Sequence, residues 1–149
     1  IFSPNGRWVA YVSNKSGNSD IYARPFPGPG AEVTISVGGG GEPVWGPSGR
    51  ELFYRRDRKL MAVRIEERGG SLVASAPALV FDDSYRPDTF GTQGGVVLAQ
   101  GGVANYDVAP DGTRFVMVDE PQELADTQFT RIEVILNWLD ELKRRVPSR

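Results

Sequence analysis

The chain of 149 residues contains neither cysteine nor histidine. The first absence excludes a disulfide framework, a thiolate nucleophile and a zinc-thiolate cluster, and it leaves the redox compartment open. The second removes the usual general base of Ser-His and Cys-His sites and the commonest metal ligand. Most familiar hydrolase mechanisms are thereby excluded, and no catalytic residue is expected. An excess of charge is also missing: 17 basic against 19 acidic side chains leave a formal net charge of −2. That balance provides no strong pull toward nucleic acid or an anionic membrane. No stretch approaches the roughly 18 consecutive apolar residues of a membrane span, and no charged-then-apolar leader precedes the first strand. The sequence opens at Ile1 and passes at once into a turn with no element before it, so further N-terminal sequence is expected.

What the chain has in quantity is punctuation. Its 18 glycines and 11 prolines interrupt it too often for long helices and point to an all-β domain with one core. A repeat runs through it. Ser3-Pro4-Asn5-Gly6 leads into Arg7-Trp8-Val9-Ala10-Tyr11-Val12, Gly46-Pro47-Ser48-Gly49 into Arg50-Glu51-Leu52-Phe53-Tyr54-Arg55, and Ala109-Pro110-Asp111-Gly112 into Thr113-Arg114-Phe115-Val116-Met117-Val118. Proline presets φ for the first central turn position, Asn, Ser or Asp suits the second, and glycine takes the left-handed position that closes the hairpin. Each copy is therefore a hairpin tip between a first strand (Phe2, Val44-Trp45, Asp107-Val108) and a second rich in β-branched and aromatic residues. Third strands are expected at 20–24 and 59–65, and fourth strands at 32–36 and 78–81. Trp8, Trp45 and Trp138 are assigned to the core.

Units that cannot bury their own faces without a neighbour are the mark of a repeat architecture. The expectation is a β-propeller segment of about three four-stranded antiparallel blades: residues 1–37, residues 42–83, an insertion over 84–104, and an incomplete third blade over 105–138. Ile132, Val134, Leu136 and Trp138 alternate as a strand would, and no fourth strand follows them. A short terminal helix is expected over 139–146, with acids early and bases late as the helix dipole favours. A missing first strand at one end and a missing last strand at the other are complementary, as when a propeller closes one blade from both chain ends. The remaining blades of the ring are expected upstream.

The cadence Phe2-Ser3-Pro4-Asn5-Gly6-Arg7-Trp8, then Asp20-Ile21-Tyr22-Ala23-Arg24-Pro25-Phe26, then Gly41-Glu42-Pro43-Val44-Trp45, resembles the TolB-like branch of WD-repeat-like β-propellers over nearly the whole chain. The segment 105–112 with Val134-Ile135-Leu136-Asn137-Trp138-Leu139-Asp140-Glu141-Leu142-Lys143 resembles the C-terminus of large bacterial proteins that join such a propeller to a serine/threonine kinase. The resemblance implies an extracytoplasmic sensor or scaffold module of a larger protein, with a protein or small-molecule ligand as partner and no cofactor. Two other settings for such blades are a free periplasmic scaffold of the TolB type and the gating propeller of a prolyl-oligopeptidase-type peptidase. The charged tail, with no hydrolase after it, argues against the last.

Several local features have competing readings. The run Gly38-Gly39-Gly40-Gly41 lacks the G-x-G-x-x-G spacing and the Walker lysine of a phosphate cradle, and a strand follows it, so it reads as a flexible interblade loop. No kinase catalytic motif occurs. Asp82, Asp83 and Asp88 are near one another but lack the alternating carboxylates of a calcium loop, so no metal is expected. Asn14-Lys15-Ser16 matches a glycosylation sequon, a pattern short enough to arise by chance. The knot Arg55-Arg56-Asp57-Arg58-Lys59 reads as a solvated hairpin tip or as a contact for an acidic partner. Strand alternation puts the loops near 15–19, 55–58, 85–103 and 120–128 on one face. The longest loops collect there, so the expected partner contacts are Arg55, Arg56, Tyr85, Arg86 and Phe90.

Overall fold

The computed structural model describes residues 1–83 and 104–117, which form antiparallel β-sheets and no helix. The strand expected near 131–138, Trp138 and the helix over 139–146 lie outside the described residues, as do residues 84–103 of the expected insertion. Three sheets follow one another along the chain. The first holds β1 (Trp8–Ser13), β2 (Asp20–Pro25) and β3 (Val33–Thr34) in that order. The strand expected at Phe2 is a single bridge to Val9, flanked by a bond from the Ala10 amide to the Ile1 carbonyl. The second sheet holds β4 (Gly41–Trp45), β5 (Glu51–Arg56), β6 (Lys59–Arg68), β7 (Ser71–Ala74) and β8 (Ala78–Asp82), and the third pairs β9 (Tyr106–Val108) with β10 (Phe115–Met117).

β7 is not among the expected strands, and its place is instructive. β6 is 10 residues long; its first part pairs with β8 and its last part with β7, both antiparallel and both on the side away from β5. The two short strands therefore act as one fourth strand broken at Ser75-Ala76-Pro77. At the break the Ser75 amide donates to the Arg64 carbonyl and the Arg64 amide donates to Ser75 Oγ. A side-chain oxygen thus stands in for a carbonyl of the ladder, two residues before a proline that has no N–H to give.

The three Pro-x-Gly turns close by the same bonds. The glycine amide donates to the first turn carbonyl (Gly6 to Ser3, Gly49 to Gly46, Gly112 to Ala109), with glycine φ of 69°, 69° and 72°. The second turn residue then uses its side-chain oxygen to accept the amide two positions on: Arg7 N to Asn5 Oδ1, Arg50 N to Ser48 Oγ, Thr113 N to Asp111 Oδ1. This local bond is the physical reason that Asn, Ser or Asp is found there.

Alternation along the strands then fixes two cores. Leu52 and Tyr54 of β5 and Met61, Val63 and Ile65 of β6 face the first sheet, where they pack with Trp8, Ala10, Ile21, Ala23 and Ile35. Phe53 and Leu60 face the other way and pack with Tyr106 and Val108, with Phe115 and Phe81 at the margin. The middle sheet is consequently covered on both faces, which is why four consecutive residues of β5, Leu52 to Arg55, are buried rather than every second one. Each large aliphatic or aromatic side chain among them, once buried, stabilises by about 1.5–3 kcal/mol. Trp8 and Trp45 are both buried. A second tie joins the first two sheets at their turn end: Glu67 of β6 accepts from Trp8 Nε1 at 2.9 Å and Asn5 Nδ2 at 3.1 Å, and pairs with Arg7 at 2.8 Å.

Candidate binding face

At the end of the sheets opposite the Pro-x-Gly turns lie the β1–β2 loop, the β5–β6 tip, the link from β3 to β4, and Asp83 and Asn105 on either side of the 84–103 segment. Bonds between these pieces hold them together: Gly39 N donates to Asp20 Oδ1 at 2.8 Å, Arg56 Nη1 reaches the Val37 carbonyl at 3.3 Å, and Asp83 N donates to the Arg58 carbonyl at 2.8 Å.

Asp20 is only 3% exposed. Ser16 Oγ donates to Oδ2 at 2.6 Å, and the Gly39 amide takes the other oxygen. The Ser16 hydroxyl above all, aided by the Gly39, Ser36 and Gly38 donors, holds the carboxyl below its ordinary value against the opposing effect of burial. A carboxylate whose folded pKa is depressed contributes stability above its unfolded pKa and loses it as pH falls through the folded one. The stability difference between the natural chain and Asp20→Asn is therefore expected to be full at neutral pH and to vanish in strong acid. Urea titrations across pH 2–7 measure it, and a difference independent of pH would refute the linkage.

Beside this, a second buried network joins the middle and third sheets. Arg55 and Glu42 have side chains 6% and 7% exposed and meet at 2.9 Å; Arg55 Nε pairs with Asp83, whose side chain is 2% exposed. Arg55 Nη1 also donates to Asn105 Oδ1, and its guanidinium lies 5.2 Å from the centre of the Tyr106 ring. The Tyr106 hydroxyl donates to the Glu42 carbonyl at 2.8 Å. Burial, and then the adjacent Glu42 carboxylate, drives the pKa of that phenol far above its usual range, so it stays a donor. Glu42 sits at the β4 bulge with φ of 53°, a left-handed conformation that costs a non-glycine residue about 1–3 kcal/mol. The buried guanidinium holds it there.

No protein-family model and no curated protein matches this chain.

Of the five residues expected as partner contacts, two lie among the described ones, and the fold separates them. Arg55 departs from the reading of a solvated tip, because β5 is covered on both sides and the alternation that sends Arg56 toward the first sheet turns Arg55 into the second core. Arg56 is half-buried, and Asp57, Arg58 and Lys59 are exposed. Tyr85, Arg86 and Phe90 lie outside the described residues. Asp83 serves Arg55 and Asp82 is exposed, while Asp88 also lies outside; among the described residues no three acidic side chains gather as a metal ion would need. Glu42 and Asn105 are the members that sequence reasoning missed. The available signal was an acidic residue at the head of a first strand opposite an arginine at the tail of a second.

Proposed function

We propose that this chain is part of a β-propeller that acts as a non-catalytic binding module, a sensor or scaffold within a larger extracytoplasmic bacterial protein of the kind that carries a serine/threonine kinase. One observation carries the propeller part of this reading: among the described residues the middle meander sheet buries its two faces against the sheets before and after it in the chain, while the extracytoplasmic, kinase-linked setting rests on the sequence resemblance. A sheet that depends on its sequence neighbours in this way is the unit of a ring or solenoid. The first strands support it further, since Phe2, Val44, Trp45 and Tyr106 line one shared groove, as inner strands facing an axis would. The recurring turns with identical bonding fit the same scheme. With short turns at one end and the varied loops at the other, the loop end is the face for a partner.

Electron microscopy of the full-length gene product tests the architecture. Toroidal particles with an axial channel are expected; an open or two-layered sandwich outline would replace this reading with that of a sheet stack.

A further inference from the structure

The four residues Arg56-Asp57-Arg58-Lys59 combine two features that each oppose stability. Asp57 and Arg58 form the two-residue turn between β5 and β6 with φ of 51° and 58°. Such a turn needs both residues left-handed and is normally Asn-Gly or Asp-Gly, so Arg58 occupies the position where glycine is the unstrained choice. In addition, Arg56 and Lys59 are direct cross-strand partners, and like charges so placed repel. Lys59 has Asp82 opposite it on the β8 side, but none of Arg56, Arg58 and Lys59 forms an ion pair among the described residues. The tip is nevertheless firmly held, by the Asp83 amide on the Arg58 carbonyl and by the buried Arg55 one residue before it.

Local rules broken together on an anchored, solvent-facing element mark a site where side chains are kept for something other than folding. We infer that this tip is a docking point for an acidic polypeptide segment, an inference that rests on the loop end being the binding face. Three cations on four consecutive residues are complementary to a short carboxylate run, and guanidinium forks engage carboxylates bidentately. Nucleic acid is the poorer fit, because it needs an extended track of phosphate contacts and the chain as a whole carries a charge of −2.

The test uses poly-L-glutamate as the probe, titrated into the full chain at low ionic strength and followed by calorimetry. Saturable binding that weakens with salt is expected. R56E/K59E is expected to weaken it by about tenfold or more. R58G is expected to weaken it about threefold while raising the melting midpoint by about 2–4 °C, since glycine relieves the left-handed strain of the arginine. R50E/R64E alters two exposed arginines at the opposite end and is expected to change nothing. Should R56E/K59E fail to give a native circular dichroism spectrum, R58G decides alone. Absence of binding, unchanged affinity in R58G, equal loss in R50E/R64E, or equal affinity for a single-stranded DNA of matched charge would each overturn the assignment. The ring outline in the microscope is a separate readout, so the docking site and the architecture fail independently.

Discussion

Replacing Arg55 by leucine is expected to lower stability by about 3–5 kcal/mol, among the largest effects of any single change in the chain. Arg55 is shared by Glu42 and Asp83, both almost wholly removed from water. Leucine keeps much of the volume but takes the guanidinium from both carboxylates at once, and it removes the counter-charge that holds Glu42 at φ 53°. At the scale of a chain this size the change corresponds to a fall of on the order of 10 °C in melting midpoint. Adding Glu42→Gln is expected to restore about 1–3 kcal/mol of the loss, because the pair is coupled and one of the two buried carboxylates left without the guanidinium loses its charge. Thermal and urea melts of the two single variants and the double close the cycle. Simple additivity would mean that the three groups do not act as one network.

The second large effect is expected at Phe53. Its ring is 5% exposed and meets Phe115 edge to face with centroids 5.1 Å apart. Phe53→Ala leaves a cavity between the middle and third sheets and should cost about 3–5 kcal/mol. The damage should be local in character. Amide exchange at Tyr106–Val108 and Phe115–Met117 is expected to accelerate well before that in β1 and β2, whose core is formed by Leu52, Tyr54 and their neighbours on the other face. Uniform acceleration across all three sheets would show instead that the two cores melt together.

The parts of this fold that were legible in the sequence are those set by bonds between near neighbours. Pro4, Pro47 and Pro110 announce turns because φ, the side-chain acceptor two residues ahead of its donor and the left-handed glycine all lie within four residues. The β-branched and aromatic residues that directly follow two of these turns identified β1 and β5 in the same local way. β7 went unseen because only Leu72 of its four residues is buried, so no pattern rises above the charged stretch before it; the Gly69-Gly70 pair was the one usable sign of a hairpin. The Arg55 network was illegible for another reason. Its members are 13, 28 and 50 residues from Arg55 in the chain, at Glu42, Asp83 and Asn105, and no local spacing encodes a meeting that only the stacking of sheets brings about. Arg56, by contrast, was found at the tip because a two-residue turn is itself a local object.

The long β6 strand has a practical use. It starts at the cationic tip and ends at Gly69-Gly70, so its 10 residues separate the two turns by about 30 Å. Nothing lies within 4 Å of where a side chain would project from either glycine. A peptide tag spliced between them would extend the hairpin outward without displacing a packed atom, and the tagged protein would attach to a sensor chip or bead by the turn end. Every molecule would then present its loop end to the solution in the same orientation. Random amine coupling cannot do this, since Lys15 and Lys59 sit on the very loops in question.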